Sequence, residues 1–430
     1  MAISGWFVAL LALGIVPIVY FDDPGMLLIW LGLVVAIGVI DLLAAGSPRA
    51  LQLSRTVPDR VRLGESVDAT LYVVNQGRRR MHGIVRDAWE PSAGATPTRA
   101  RLSVPPGERR AVVTRLTPFR RGERRASQVT VRSFGPLHLV ARQATFDVPG
   151  RVRVLPAFTS RRHLPSRLAR LRELDGRTSV MIRGQGTEFD SLRDYVRGDD
   201  VRSIDWRATA RRQEVVVRTW RPERDRQVVI IVDSGRTAAA RIENETRLDT
   251  AFESSLLLAA LASRAGDRVS LVVYDRRVRG RVLGASGAEL LPRMVDTMAP
   301  IEPELIEMDW SAAPSLVRSI TNQRSLVVLL TSITTPGSSR SLLTALPQLT
   351  RKHTVLVASV TDPTVVQATA DRSTRDAVFR AAAAERALLD TARVSAAIRQ
   401  LGADVVVGAP LDLPPAVADR YLALKAAGRL

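Results

Sequence analysis

At 430 residues the chain exceeds the usual size of one domain and is expected to fold as two or three units. Lysine and arginine total 62 against 43 acids, a net charge of +19, and cysteine is absent, which excludes disulfides and thiolate metal sites. Lys352 and Lys425 are the only lysines, and the arginines run the whole length instead of clustering. That spread fits coding bias in a GC-rich genome and argues against nucleic acid; anionic lipid or an acidic protein are the other partners such charge would serve. His82, His138, His163 and His353 lie far apart and suggest no metal cluster.

Ala2 to Phe21 is almost wholly apolar, Asp22-Asp23-Pro24-Gly25 breaks the run, and Met26 to Ile40 is apolar again. Each run approaches the ~20 residues a helix needs to cross a bilayer. Backbone amides in lipid must bond internally, so the pair reads as a transmembrane helical hairpin over 1–45, with Trp6 and Trp30 at or near the interfaces. Met1 to Gly5 lacks the basic residues a secretory signal would carry. The turn is acidic, and Arg49, Arg55, Arg60 and Arg62 follow the second run. The positive-inside rule therefore places the N-terminus and the C-terminal bulk in the cytoplasm of a two-pass plasma-membrane protein.

Over 46–157 the pattern changes to period two, as in Val67, Ala69, Leu71 and Val73. Turn signals recur at Pro58-Asp59, Asn75-Gln76-Gly77, Pro105-Pro106-Gly107 and Arg121-Gly122-Glu123, which predicts an antiparallel β-sandwich. Trp89 is expected to plug its core, and Thr145 to Val148 to fit an edge or turn.

The region 158–226 reads as a linker. Thr159 to Asp175 predicts a short, basic amphipathic helix, either solvated or in contact with anionic lipid or a partner. Acids and arginines then alternate tightly through Thr187-Glu188-Phe189, Leu192-Arg193-Asp194-Tyr195, Gly198-Asp199-Asp200, Arg202-Ser203-Ile204-Asp205-Trp206-Arg207 and Ala210-Arg211. This run resembles the hallmark of the domain-of-unknown-function-58 family, bacterial membrane-linked proteins often encoded beside MoxR-type AAA+ ATPases. The resemblance implies an Ig-like fold for the sandwich and a von Willebrand A-like domain after it. The paired charges predict an ion-pair network, with Arg202 a member, that clamps the segment onto the following sheet, with Trp206 and Trp220 as apolar anchors.

From 227 to 430 strands and helices alternate, which predicts an α/β doubly wound (Rossmann-type) domain with a parallel sheet. The expected strands are Val228–Val232, Val269–Tyr274, Leu326–Leu330, Thr354–Val360 and Asp404–Val407, with Val278–Leu283 as a hairpin partner. Asp233 falls at the carboxyl end of the first, where such folds bind ligands.

The von Willebrand A-like fold that the resemblance implies often carries a metal-ion-dependent adhesion site: Asp-x-Ser-x-Ser, a threonine from a later loop and an aspartate from a third. Mg²⁺ there takes about six hard oxygens. Here Asp233 and Thr237 are kept, but Gly235 replaces the middle serine, and Arg236 adds a positive charge. The loop Thr331 to Gly337 has no carboxylate, and the threonine loop would fall near Met308 to Ser311. No cofactor is therefore expected, Mg²⁺ at this degenerate loop being the one exception considered.

The reading that follows is a membrane-anchored, non-enzymatic adaptor. By resemblance its partner is a MoxR-type AAA+ ATPase, bound in the assembly or remodelling of complexes. Residues 1–45 contact lipid. The partner-binding surface is expected at the Asp233 loop face, with Ser234 to Thr237 and Thr334-Thr335-Pro336-Gly337 at its rim; the residues assigned to partner binding or to a structural motif are Arg193, Tyr195, Asp199, Asp200, Arg202, Asp205, Trp206 and Arg207 together with Ser234, Gly235 and Arg236. The rivals are a metal-assisted hydrolase using Asp233 and a binder of anionic lipid or nucleic acid through the arginines.

Overall fold

The computed structural model describes residues 2–21, 23, 25–181, 188–221 and 226–430. The chain divides into two compact units, Met1–Leu155 and Pro156–Leu430.

The first unit opens with a short strand, Ala2–Ile3 (β1), and two helices, Gly5–Leu13 (α1) and Ile15–Phe21 (α2). The run expected as one helix thus starts with a strand and breaks at Gly14. Pro17 has no amide to give to Leu13, which weakens the helix at that point. Gly14 also lets the next helix, Gly25–Ala44 (α3), cross closely: a Cβ there would stand 2.2 Å from Trp30 Cδ1. Trp30 spends its indole N–H on Leu10 O, 3.1 Å away, inside the hairpin. Among the described residues, one helix, beginning at Gly25, is long and apolar enough to cross a membrane. Val34, Gly38 and Asp41 form its one buried stripe, and most of its other side chains are exposed.

Strands Leu51–Thr56 (β2), Arg60–Arg62 (β3), Val67–Asn75 (β4), Met81–Trp89 (β5), Ala95–Thr96 (β6), Arg99–Val104 (β7), Arg109–Leu116 (β8), Gly122–Phe134 (β9) and Val140–Leu155 (β10) build two sheets. One is ordered β1-β10-β9-β5-β7 with β3 beside β10; the other is β2-β4-β8-β6. Alternation puts Leu71 and Val73 of β4 inside with Val85, Val129 and Val131. The sheet is mixed where a purely antiparallel one was expected, because β3 runs parallel to β10. Thr145–Val148, expected at an edge or turn, lies inside the long strand β10, which pairs with β9 and bulges between Asp147 and Gly150. Trp89 is buried; its Nε1 donates to Asp87 Oδ2 at 2.9 Å, and Arg55, paired with Asp87, lies over its ring at 5.3 Å.

The second unit begins with Leu164–Met181 (α4), then Glu188–Asp194 (β11), Trp206–Arg212 (α5) and Val216–Arg221 (β12). The main sheet starts at Gln227–Asp233 (β13). A two-residue hairpin, Arg241–Ile242 (β14) and Glu245–Thr246 (β15), leads into Arg247–Arg264 (α6). There follow Arg268–Tyr274 (β16), Val278–Val282 (β17), Leu290–Met298 (α7), Ala313–Ile320 (α8), Leu326–Leu330 (β18), Arg340–Thr350 (α9) and Thr354–Val360 (β19). Pro363–Ala368 (α10), Arg375–Gln400 (α11), Asp404–Gly408 (β20) and Leu413–Ala426 (α12) complete it. The sheet order is β17-β16-β13-β18-β19-β20, with β17 the antiparallel member.

Val229 and Ile231 of β13 pack with Val317 of α8, Leu346 of α9 and Ile398 of α11. The alternate residues Ile230 and Val232 face the other side, where α6 packs on β13 and β16. A capping box at Thr246 and Asp249 starts α6, and the helix is buried along most of its length. Helix α4 is neither a solvated linker nor free for lipid along its whole face. Its Leu171 is buried, Arg167 pairs with Asp419 of α12 at 2.6 Å, and Thr159 just ahead of it donates to Glu253 of α6 at 2.5 Å.

Candidate functional site

In the sheet order just given, chain connection reverses direction between β13 and β18, and a crevice for ligands is expected beyond their carboxyl ends. Asp233 ends β13 there and is buried. Its Oδ1 accepts from the Gly235 amide at 2.7 Å, and its Oδ2 from Thr331 Oγ1 at 2.7 Å and Thr237 Oγ1 at 3.4 Å. Burial pushes its pKa up; the three donors pull it back, and nearby Asp275 adds to the rise. Gly235 is required by space: a Cβ would lie 2.8 Å from Ile306 O and 3.0 Å from Asp233 Oδ1.

The neighbouring groups are turned elsewhere. Ser234 Oγ donates to Asp275 at 3.2 Å. Burial alone would raise Asp275, but Arg279 at 2.6 Å and the amides of Arg277 and Arg276 outweigh it and hold it low. Arg236 reaches out to Glu307 at 2.8 Å, so its charge is paired away from Asp233. Asp309 and Ser311, on the loop considered for the adhesion-site threonine, bond to each other at 2.6 Å. Arg247 of α6 donates to Ser332 at 2.7 Å, and its Nε is buried without a hydrogen-bond partner. Between Arg247, Asp233, Thr331 and Leu413 lies a cavity of about 20 Å³, room for roughly one water molecule.

This donor set does not fit a six-oxygen Mg²⁺ site. Asp233 is the one carboxylate lining the cavity, Asp275 being held by Arg279 and two backbone amides, and the hydroxyls of Thr331 and Thr237 donate to Asp233 where they would have to face a cation. Among the described residues no group of three His, Cys, Asp or Glu side chains is placed to hold a metal.

The charge-rich segment forms its own small fold. Strands β11 and β12 pair antiparallel. Gly198, at φ +112°, allows the turn that brings Asp199 back to Arg193, which it meets through two hydrogen bonds of 2.6 and 2.8 Å. Asp200 accepts from the Arg202 amide at 3.0 Å. Asp205 caps α5 through the amides of Arg207 and Ala208, both 3.0 Å, and takes Arg218 at 2.8 Å. The Ala208 amide first, then Arg218 and last the Arg207 amide hold its pKa below the usual carboxylate range.

Three expectations are corrected here. The ion pairs Arg193–Asp199 and Arg218–Asp205 close the segment on itself; no ion pair to the main sheet occurs among the described residues. Arg202 uses its backbone amide and has no side-chain partner among them. Trp206 is no anchor: as the first residue of α5 it points outward and is 68% exposed. Val196, Val201 and, in part, Tyr195 are exposed on the same segment, with Arg197, Arg207, Arg211 and Arg212. The side chain of Trp220 lies outside the described residues.

The sequence reading missed Thr331 as the partner of Asp233, and it missed Arg247 and Asp275. Asp275 had a signal: like Asp233, it closes an apolar strand at the carboxyl edge of the sheet.

The architecture is multidomain, a β-rich unit with an apolar N-terminal helix followed by an α/β unit. Residues 191–377, which span the segment and much of the sheet, match the family described as "Protein of unknown function DUF58". Similar chains include uncharacterized proteins of Mycobacterium bovis and Mycobacterium tuberculosis. Each is 27% identical over 247 residues, covering 53% of this chain and 75% of the relative. Among solved structures, the CARDB domain of a Pyrococcus furiosus protein, crystallised with di-metal ions, is 22% identical and covers 24% of this chain and 93% of its own, with a TM-score of 0.18. A portion of Escherichia coli alpha-2-macroglobulin is 16% identical over 26% of this chain and 17% of its own, with a TM-score of 0.21.

Proposed function

We propose that the protein is a membrane-anchored, non-enzymatic adaptor that binds a protein partner, a MoxR-type AAA+ ATPase, in complex assembly or remodelling. The observation that carries this reading is the contrast between its two candidate surfaces. The crevice at Asp233 is closed by its own hydroxyls, with space for about one water. The 188–221 segment instead presents exposed Trp206, Val196 and Val201 among exposed Arg197, Arg207, Arg211 and Arg212, which have no ion pair among the described residues, a composition suited to a partner with an acidic, partly apolar face. The adaptor surface is therefore assigned to this segment, with the Asp233 loop as a structural remnant.

A von Willebrand A-like assignment of the α/β domain is supported by a strand order that runs 3-2-1-4-5-6 when its strands are numbered from β13, with the third antiparallel. A two-pass anchor is supported by the pairing of β1 with β10 and the burial of Asp41 at the foot of α3, which bring both ends of the hairpin to one end of the sandwich. A cytoplasmic sandwich and α/β domain are supported by the arginines that follow α3, through the positive-inside rule.

The test is co-purification of the full chain with a MoxR-type ATPase from the same genome. Capture is expected for wild type and Asp233→Asn, and loss for Trp206→Ala. Micromolar Mg²⁺ binding abolished by Asp233→Ala, or turnover of a small substrate dependent on Asp233, would overturn the adaptor reading in favour of the hydrolase.

A further inference from the structure

Helix α3 does not run into a free linker; its last turn is built into the sandwich. Asp41 is fully buried, and its carboxylate accepts from the amides of Leu137, Leu139 and Val140 at 2.8, 2.9 and 3.1 Å. Gly135 makes room for it, since a Cβ there would stand 2.2 Å from Asp41 Oδ1. The helix ends with carbonyls that lack intrahelical donors. The Ala45 amide continues the helical pattern onto Asp41 O, and the next two carbonyls are met from the sandwich: Arg142 Nε donates to Leu42 O at 3.0 Å and Arg79 Nη1 donates to Leu43 O. Beside them the Arg80 carbonyl packs on Gly46, so the loop between β4 and β5 touches the same spot.

If α3 crosses a bilayer, groups bonded to its last turn sit in the headgroup layer. Those groups are of two kinds. Pro136, Leu137 and His138 are exposed at the β9–β10 turn, Leu137 by 54%. Arg78, Arg79 and Arg80 are exposed on the neighbouring loop. Arg79 and Arg142 satisfy carbonyls yet keep their full charge. Arg78 and Arg80 have no side-chain hydrogen bond or ion pair among the described residues. Among the described residues, the carboxylates held next to these loops are Asp41, spent on backbone amides, and Glu108, paired with Arg110 at 2.6 Å. The surface left over is strongly cationic, with an apolar step at Leu137.

We propose that this surface is a binding site for an anionic phospholipid headgroup, held by Arg78 and Arg80 with its acyl chains against Leu137 and the exposed face of α3. The proposal rests on the membrane reading of α3. Charge complementarity selects the occupant: a phosphodiester offers the anionic oxygens that guanidinium groups bind, and the adjoining apolar helix face suits its chains. Each arginine at such a surface is worth about a fivefold change in affinity for anionic lipid.

The test uses the full chain, extracted in mild detergent and examined by native mass spectrometry with dioleoylphosphatidylglycerol or dioleoylphosphatidylcholine added. Wild type is expected to retain phosphatidylglycerol preferentially. The double variant Arg78→Glu, Arg80→Glu is expected to lose that retention by more than about tenfold. The same charge change at Arg120 and Arg151, on other parts of the sandwich surface, is expected to leave it intact. Equal retention of the two lipids by wild type, or undiminished phosphatidylglycerol on the Arg78, Arg80 variant, overturns the proposal. Displacement of the lipid by millimolar inorganic phosphate alone also overturns it, by assigning the site to free phosphate. Alkaline carbonate extraction of membranes separates the two readings. A chain released by carbonate fails the membrane reading itself, whereas a chain that stays embedded without lipid preference fails this proposal alone.

Discussion

The Thr331 hydroxyl donates to Asp233 Oδ2 at 2.7 Å and ties the carboxyl end of β18 to that of β13. The bond supplies a donor to a buried carboxylate from within the chain. Thr331→Val leaves Asp233 with one donor fewer and is expected to destabilise the α/β unit by about 1–3 kcal/mol, while Thr331→Ser restores most of the loss. Urea unfolding of the full chain in mild detergent, followed by hydrogen exchange in residues 227–235, measures it.

Two acids with raised pKa values set a pH dependence. Burial lifts Asp233, and burial lifts Glu245 to about 7 against the opposing bond from Thr250, with Glu253, Asp249 and Glu243 adding to the rise. An acid whose folded pKa is raised favours the fold most below its unfolded value and loses that contribution as pH rises through the folded one. For Glu245 the window runs from its ordinary 4.5 to about 7. Glu245→Gln is therefore expected to flatten the fall in stability across that window. A variant with the same slope as wild type would contradict the burial of this side chain.

Within the charge-rich segment, Asp205 carries more than Arg202. Asp205→Ala removes the cap of α5 and the partner of Arg218, and faster exchange is expected at the Arg207 and Ala208 amides. Because its pKa is depressed, the contribution of Asp205 is present above the ordinary carboxylate value and disappears as pH falls through the folded one. Arg202→Glu, whose side chain is unpaired among the described residues, is expected to change stability by no more than about 0.5 kcal/mol.

Asp41 is the joint between α3 and the sandwich. Asp41→Ala strands three buried or half-buried amides and is expected to cost at least about 3 kcal/mol, with Asp41→Asn losing less because one acceptor oxygen remains. Limited proteolysis at the turn 135–142 reports the change as faster cutting.

Trp206→Ala should leave unfolding unchanged while abolishing partner capture, because a side chain 68% exposed contributes little to packing. A drop in stability comparable to that of Thr331→Val would mean that Trp206 is covered in the protein.

Much of the α/β unit could be read directly. Leu326–Leu330 and Thr354–Val360 stand where continuous apolar runs put them, and Asp233 falls at its strand end. The short helix Pro363–Ala368 has no legible signal, because six residues give too little periodicity to detect. The break at Gly14 had a local signal in Pro17, which was passed over; the close approach of Trp30 that Gly14 permits belongs to the facing helix and had none. Trp206 was misjudged because hydrophobicity states a preference for burial without saying whether a neighbour exists to provide it.

What the sequence determined by itself is the order and kind of the elements, since alternation, apolar length and turn residues act over a few neighbours along the chain. What the tertiary structure decided is how the key acids are used. Asp233 meets Thr331, and Asp41 meets Leu139, each across 98 residues. Hydrogen bonds over that separation depend on how sheets and helices pack, and packing alone turned one aspartate into a closed crevice and the other into the joint between α3 and the sandwich.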